Sequence, residues 1–465
     1  MSASELAALS AVELVAGYRA RRFSPVEVVD AVLARIERLH SRLNAFCVVT
    51  ADQARREAKA AEQALHRGEA LGPLHGVPLS VKDMVITKGI RTTFGSAIYA
   101  DHVPDEDAPM VEHLRGAGCI VTGKTTTPEF GYKGATHGPL LGVSRNPWKL
   151  DRTPGGSSGG AAAAAAAGLG PLHTGGDGGG SIRIPGSFCG VYGLKPSYGL
   201  VPAYPASSVG TLAHLGPITW TVRDAALMLS AMARPDDRDP TCLPGPFPDF
   251  VAACDAGVRG RRVAWSPTLG YARLDPEVAR LTAAAARRFE ELGCHVEEVP
   301  RVSDDPYPCW AVLFNVGLAG RLAPYLQEHR GRMSPSLVPI LEEARALTGV
   351  DVARAMAERA AFTEAVRRFF GRYDLLLTPT LPVPAFAAER DTPEGAPTIL
   401  SWGAFTYPFN LTQQPAATVP CGFTADGLPV GLQIVGRRLA DPQVLAASAA
   451  FEAIQPWHRK RPPLD

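Results

Sequence analysis

The chain of 465 residues carries 47 lysines and arginines against 46 aspartates and glutamates, a net charge of +1 at pH 7. Its apolar fraction of 46% and charged fraction of 20% are ordinary for a globular protein with a large buried core. The balanced charge predicts no nucleic acid and no membrane as a partner, because both would favour a basic surface. The eight cysteines are scattered without a CxxC pair, so we expect free thiols in a reducing cytoplasm and no metal site.

The first 65 residues predict helices. Their opening, "MSASELAALSAVEL", lacks the basic-then-apolar pattern of a secretory signal, which also favours a cytoplasmic location. "SPVEVVDAVLARIERL" begins with a capping box of Ser24 and Glu27 and has Pro25 at the first helical position. Apolar residues then recur at helical spacing, which predicts an amphipathic helix.

Two short apolar runs predict buried strands. "GVPLSVKDMV" (Gly76–Val85) contains Lys82, and "CIVTG" (Cys119–Gly123) follows a predicted helix. The second run overlaps "GCIVTGKT", which matches the P-loop pattern. A P-loop requires the strand before the glycine-bounded loop, whereas here the middle residues form the strand. We therefore interpret Lys124 as a strand-end residue and not as a phosphate ligand.

The centre of the chain is rich in glycine and serine. "GGSSGG" (Gly155–Gly160) precedes an alanine-rich predicted helix, and "HTGGDGGGSIRIPG" (His173–Gly186) follows it. Ordered glycine costs conformational entropy, so this density needs a reason. From the residues alone, the second stretch is a phosphate cradle, a flexible linker, or a loop whose amides face a reacting oxygen.

The C-terminal half alternates strands and helices. "RVAW" (Arg262–Trp265), a long helical pattern and "HVEEV" follow in order, which predicts parallel or mixed pairing. Residues 235–255 read as a surface connection, residues 313–373 as mainly helical, and strands return in "YDLLLTPTLPVPAF" and "PAATVPCGF". This alternation predicts one large α/β domain.

Three motifs together resemble the amidase signature family. "GVPLSVKD", "PGGSSGG" and "GGDGGGSIRIPGSFCGVYGLKPS" occur in this order, with 75 residues from Lys82 to Ser157 and 24 from there to Ser181. The resemblance covers most of the chain and is weakest over Pro235–Leu400. It implies a central twisted mixed β-sheet covered by helices on both faces. Within one domain over 1–465 we expect a helical region (1–65), a catalytic core (66–230), a substrate-side region (235–400) and C-terminal strands with a helix (401–465).

The resemblance also implies a mechanism. Ser181 would be the nucleophile, Ser157 a bridging serine in a cis peptide, and Lys82 the base of an acyl-enzyme route that needs no cofactor and no metal. A lysine can accept a proton only when neutral, and burial lowers its pKa.

The glycines before Ser181 then acquire a role. The backbone amides of Gly178, Gly179 and Gly180, with that of Ser181, would form an oxyanion hole. A linker would not continue directly into "SIRIPG", and a phosphate cradle would need a lysine or a magnesium ligand nearby.

Three further residues are expected to support the site. Asp177 and Arg183 would orient the glycine loop, the alternative being a surface ion pair. Ser158 would support its turn or cap the following helix. The family usually has a threonine before the aspartate, where this chain has Gly176, so a hydroxyl contact from that position is not expected.

The predicted activity is hydrolysis of linear carbon–nitrogen bonds in a small-molecule amide, anilide or carbamate (urethane). The pocket is expected from the loop after Lys124 and from the stretch Cys309–Arg345. The sequence is compatible with a homodimer.

Three alternatives stay open at this point. One is the glutaminase component of a tRNA amidotransferase, although Leu341–Tyr373 lacks the glycine- and tyrosine-rich segment usual there. Another is an α/β-hydrolase esterase with Ser157 in a GxSxG elbow; its base would be His214, His295, His329 or His458. The third is a catalytically inactive binding protein, against which the intact triad argues.

Overall fold

The computed structural model describes residues 1–464, and its central element is a mixed sheet. Over this range the sheet has eleven strands in the order β1-β3-β2-β6-β8-β7-β12-β13-β11-β9-β10, and β4 and β5 form a separate hairpin. The strands are β1 (Phe46–Val49), β2 (Pro78–Lys82), β3 (Ile120–Thr125), β4 (His137–Gly138), β5 (Gly142–Val143), β6 (Leu172–Asp177), β7 (Tyr192–Lys195), β8 (His214–Thr219), β9 (Arg262–Trp265), β10 (His295–Glu298), β11 (Leu375–Pro379), β12 (Ala416–Phe423) and β13 (Pro429–Gly436).

Helices flank this sheet, so the prediction of a single α/β domain with a mixed sheet is confirmed. The α-helices are α1 (Ala3–Ala7), α2 (Ala11–Arg19), α3 (Pro25–Leu43), α4 (Ala51–Arg67), α5 (Pro109–Gly116), α6 (Gly159–Ala166), α7 (Arg183–Cys189), α8 (Val222–Met232), α9 (Phe250–Ala253), α10 (Pro276–Glu291), α11 (Tyr307–Leu322), α12 (Leu326–His329), α13 (Leu337–Arg345), α14 (Gly349–Phe369), α15 (Pro408–Leu411) and α16 (Asp441–Ile454).

Helix α3 forms as its sequence predicts. Ser24 and Glu27 make both hydrogen bonds of the capping box, which supplies partners for backbone groups that a helix start leaves unpaired. Its apolar stripe is buried in the main core, the largest hydrophobic cluster of the chain. Burial of this face holds the N-terminal region against the sheet.

Parallel pairing dominates at two places in the sheet. β2 pairs in parallel with β3 and with β6, and β9 pairs in parallel with β10 and β11. The predicted β–helix–β unit of β9, α10 and β10 is therefore confirmed. The parallel β3-β2-β6 group matters most for function, because ligands usually bind beyond the carboxyl ends of parallel strands.

The prediction of an all-helical N-terminal region was wrong for β1. This strand, "FCVV", pairs antiparallel with β3 at the sheet edge. Four residues are too few for a periodic pattern to distinguish a strand from a loop. Its existence depends on β3, which supplies the hydrogen-bonding partner.

The stretch Tyr307–Arg332 contains α11 and α12 and is unusually apolar. Within residues 1–464 it is the one segment long and apolar enough to cross a membrane by length and composition alone. In the fold this stretch is not one continuous α-helix, since short 3-10 turns follow α11. Trp310, Phe314 and Leu318 of α11 pack into a second hydrophobic cluster beside the sheet.

Candidate active site

The site is built on two neighbouring parallel strands. Lys82 is the last residue of β2 and Asp177 the last residue of β6, and these strands pair through Leu79–Leu172 and Ser80–His173. Their carboxyl ends therefore meet at the same edge of the sheet. The backbone amide of Lys82 donates to Thr174 Oγ1 at 2.8 Å, which ties the two strand ends together.

Lys82 and Ser157 are in direct contact. The Lys82 Nζ donates to Ser157 Oγ at 2.8 Å and to the Gly176 carbonyl at 3.3 Å. The Gly156–Ser157 peptide bond is cis. The lysine is 2% exposed, and burial lowers its pKa from 10.5 to about 7, while the charge of Asp177 opposes this shift. A substantial neutral fraction at neutral pH makes this amine able to accept a proton.

Ser181 lies in the same cavity as Lys82 and Ser157. It stands between the end of β6 and the start of α7, and it is half-buried. Its carbonyl accepts a hydrogen bond from the amide of Ser158 at 3.2 Å. The structure thus brings the three residues predicted as a triad to one pocket, which three separate segments of the chain supply.

Asp177 and Arg183 form a fully buried pair, so the alternative of a surface ion pair was wrong. Arg183 Nε and Nη2 donate to the two carboxylate oxygens at 3.0 and 2.9 Å, and both side chains are 0% exposed. Burial alone would raise the pKa of Asp177, but the Arg183 guanidinium holds it well below its usual range. The guanidinium also reaches Asn410, Gln433 and the Thr406 carbonyl. This network fixes the start of the glycine loop.

Ser158 does not cap α6. It occupies the N-cap position, but its side chain accepts no hydrogen bond from the first turn. Instead its Oγ accepts from the amide of Gly176 at 3.3 Å and donates to the Gly176 carbonyl at 3.4 Å. The nearby strand end competes successfully for the hydroxyl, so Ser158 supports the turn, the other predicted role.

β6 extends through Asp177, so the stretch His173–Gly186 begins as strand and its glycine loop starts at Gly178. In this loop, the Gly180 amide donates to Asp177 Oδ1 at 2.7 Å. That donor is engaged, so the assignment of Gly180 to the oxyanion hole was wrong. Within the described residues the amides of Gly178, Gly179 and Ser181 have no acceptor in the protein. These three remain as candidate oxyanion donors.

The cavity has a volume of about 160 Å³, and its walls away from the triad are mainly apolar. The predicted loop after Lys124 contributes Phe130 and Gly131, and the predicted helical stretch contributes Phe314, Arg321 and Leu322. Four other parts of the wall were not predicted from the sequence: Met84 with Val85, Phe94 with Tyr99, Ala213 with Leu215, and the loop Ala203–Val209, which contains a cis Tyr204–Pro205 bond. The proline-rich run "VPAYPASS" was the available signal for that loop.

The other sequence candidates fall outside this chemistry. Lys124 lies within β3, fully buried, and its Nζ donates to the Val85 carbonyl and to two threonine hydroxyls. The esterase alternative requires a histidine beside Ser157, but Ser157 Oγ is hydrogen-bonded to Lys82, and among residues 1–464 no histidine hydrogen-bonds this hydroxyl. His214 lines the cavity, yet its Nδ1 is committed to the Leu212 carbonyl. Over the same residues, no group of three or more metal-ligating side chains is arranged to hold an ion.

Comparisons with known proteins give a consistent result. A family model described as Amidase matches residues 27–445. An acylamidase from Rhodococcus erythropolis is 43% identical over 471 aligned positions, which cover 99% of this chain and 98% of that protein. The A-type subunit of the glutamyl-tRNA(Gln) amidotransferase from Moorella thermoacetica is 37% identical, with 99% of each chain covered. The solved structure of a bacterial aryl acylamidase of the amidase signature enzymes superimposes with a TM-score of 0.90 at 33% identity over 97% of both chains.

Proposed function

The chain belongs to the amidase signature family and is a hydrolase of carbon–nitrogen bonds in non-peptide amides, and on this premise we propose its catalytic residues and its preferred substrates. Ser181 is the nucleophile, Ser157 the proton relay and Lys82 the base. The observation that carries the assignment is the buried 2.8 Å contact between Lys82 Nζ and Ser157 Oγ, in the cavity that Ser181 also lines.

Acylation begins with the neutral Lys82 amine. As Ser181 Oγ bonds to the substrate carbonyl carbon, its proton passes to Ser157 Oγ and the Ser157 proton passes to Lys82 Nζ. The carbonyl oxygen becomes an oxyanion, which the amides of Gly178, Gly179 and Ser181 stabilise.

Collapse of this intermediate breaks the carbon–nitrogen bond. The proton returns from Lys82 through Ser157 to the departing nitrogen, which leaves as a neutral amine. The acyl group stays on Ser181 Oγ. A water molecule then attacks the ester, gives up its proton along the same relay, and releases the carboxylic acid together with the regenerated serine.

The substrates we propose are amides with a compact aryl or apolar group. A cavity of about 160 Å³ matches the apolar cavities that hold one benzene-sized ring. Phe94, Phe130 and Phe314 supply aromatic walls, which favour edge or stacked contacts with such a ring. The names of the acylamidase and aryl acylamidase relatives agree with this class.

Carbamates form a second proposed substrate class. A carbamate acylates a serine by the same steps, with an alkoxycarbonyl group in place of the acyl group.

A homodimer and a cytoplasmic location stay predictions.

A fluorophosphonate probe followed by peptide mass spectrometry tests the nucleophile. We expect the adduct on Ser181 and its loss in Ser181→Ala, whereas an adduct on Ser157 would support the esterase alternative. Lys82→Ala is expected to abolish amide turnover while His214→Ala retains it. A histidine-dependent rate would overturn the assignment of the base.

A substrate panel tests the proposed class against the amidotransferase alternative. Purified protein without partners is given acetanilide, an aliphatic amide, ethyl N-phenylcarbamate and glutamine. We expect kcat/KM to be highest for acetanilide. Preferential release of ammonia from glutamine would instead identify a glutaminase component.

A further inference from the structure

Each backbone carbonyl from Asp177 to Gly180 accepts a hydrogen bond from a residue further along the chain. Asn410 Nδ2 donates to the Asp177 carbonyl at 2.8 Å, Trp310 Nε1 to the Gly178 carbonyl at 3.0 Å, and Thr406 Oγ1 to the Gly179 carbonyl at 2.7 Å. The next carbonyl, that of residue 180, accepts from a backbone amide in the first turn of α7 at 2.7 Å. Four successive peptide groups therefore have fixed orientations.

Fixing a carbonyl also fixes an amide. In a planar trans peptide, the carbonyl of one residue and the N–H of the next point in opposite directions. The peptide that Trp310 holds by the Gly178 carbonyl thus carries the Gly179 N–H on its opposite side. The peptide that Thr406 holds carries the Gly180 N–H, which is already committed to Asp177. Two side chains therefore direct amides with no acceptor in the protein: Asn410 directs that of Gly178 through the Asp177 carbonyl, and Trp310 directs that of Gly179 through the Gly178 carbonyl.

The contact between Trp310 and the loop is too close for any other residue at Gly179. A Cβ built there would lie 2.5 Å from Trp310 Cζ2. The indole is 1% exposed and stacks between Phe314, at a centroid distance of 4.6 Å, and Tyr407, at 5.5 Å. Tyr407 is itself anchored by its hydroxyl, which donates to Asp305 at 2.7 Å. The indole N–H therefore has one well-defined direction.

We propose that Trp310 is a positioning residue for catalysis, which orients the Gly178–Gly179 peptide so that the Gly179 amide serves the oxyanion. This inference rests on the proposed role of Ser181 and its loop. The stacked neighbour Phe314 lines the substrate cavity, so α11 both contacts the substrate and sets the direction of an oxyanion donor. Trp310 touches no reacting atom.

Trp310→Phe separates the hydrogen bond from the packing. Phenylalanine keeps an aromatic ring between Phe314 and Tyr407 but has no N–H donor. Removing an oxyanion donor outright costs roughly 100- to 1000-fold. Releasing the peptide that carries the donor should cost less, and we expect kcat to fall about 10-fold with KM for acetanilide within twofold. Trp457→Phe is the matched control, because its indole N–H also donates to a backbone carbonyl, that of Trp220 at 2.9 Å.

A transition-state mimic supplies the readout that simple loss of packing would not move. Phenylboronic acid bonded to Ser181 places a charged oxygen where the oxyanion forms, whereas benzoate binds the same cavity without that bond. We expect the inhibition constant of the boronic acid to rise about 10-fold in Trp310→Phe and that of benzoate to stay within twofold. Equal weakening of both inhibitors, or an unchanged kcat in the folded variant, would overturn the proposal.

Two further variants keep the outcome interpretable. Trp310→Tyr also keeps an aromatic ring without the indole N–H, so it tests the same principle if Trp310→Phe does not fold. We expect a parallel loss of about 10-fold in kcat and boronate affinity, and no loss would overturn the proposal. Ser181→Ala should abolish the boronate advantage of the wild-type enzyme. If it does not, the proposed nucleophile fails, which is a different result from an insensitive Trp310→Phe.

Discussion

Lys82→Met is expected to make the protein inactive and more stable. The substitution keeps an unbranched side chain of similar length in a site that is 2% exposed and removes the amine. In the wild-type chain the pKa of this amine falls from 10.5 to about 7 on folding, chiefly because of burial. At about 1.4 kcal/mol for each pKa unit, the unfavourable environment costs about 4 kcal/mol of folding free energy at pH 7.

The methionine also forfeits favourable contacts. The amine donates to Ser157 Oγ and to the Gly176 carbonyl, and two such hydrogen bonds contribute roughly 2 kcal/mol. The expected net gain in the free energy of unfolding at pH 7 is therefore about 2 kcal/mol. A functional group kept at a cost in stability is common at active sites.

The gain must depend on pH in a definite direction. Because the folded-state pKa is lower than the unfolded one, the unfolded wild-type chain binds more protons between about pH 7 and 10.5. Wild-type stability at this site therefore rises with pH across that window, and the advantage of Lys82→Met should shrink to about zero near pH 9.

Urea unfolding followed by tryptophan fluorescence at pH 7, 8 and 9 measures this difference. Lys88→Met, which removes an exposed lysine, is the matched control and should change stability little at any of these pH values. A Lys82→Met protein that is less stable than wild type at pH 7 would refute the reasoning. So would a difference that does not vary with pH, because the amine would then not be held neutral.

Three further results are expected. For wild type, kcat/KM should rise about tenfold per pH unit below pH 7 and level off above it, since only neutral Lys82 accepts the proton and its pKa is about 7. Initial rates of anilide hydrolysis from pH 5 to 9 check this, and a profile that is flat below pH 7 contradicts it. Gly179→Ala should lower kcat at least about tenfold because its Cβ would lie 2.5 Å from Trp310. Gly116→Ala is the control: a Cβ there has nothing within 4 Å, so steady-state kinetics should stay unchanged. Equal rates in the two variants would argue against a tightly packed loop. Asp177→Asn leaves the buried Arg183 guanidinium without its carboxylate and should lower the free energy of unfolding by about 3–5 kcal/mol. The urea midpoint measures this loss, and a shift worth less than about 1 kcal/mol would contradict it.

The local sequence was sufficient where a pattern depends on neighbours along the chain. The capping box of Ser24 and Glu27 and the apolar stripe behind it predict α3, because helix periodicity and capping are local properties. β2 and β3 are predicted for a similar reason, as short apolar runs with defined ends. The glycine–serine blocks and Lys82 also identified the family and the residues of the candidate triad before any fold was known.

What the sequence did not decide depends on residues distant along the chain. β1 exists through its pairing with β3, and the Ser158 hydroxyl contacts Gly176 across the fold instead of capping its own helix. The engagement of the Gly180 amide required the position of the Asp177 carboxylate, which a buried guanidinium fixes.

The order of glycines, serines and the lysine determined which groups can perform the chemistry, because those residue types and their spacing are written in the chain. The tertiary structure alone decided which backbone donors stay available and which side chains direct them. Trp310 lies more than a hundred residues from the glycine loop, and only the packing of α11 brings its N–H to the Gly178 carbonyl. Hydrogen-bond direction is a property of three-dimensional position, and no local pattern encodes it.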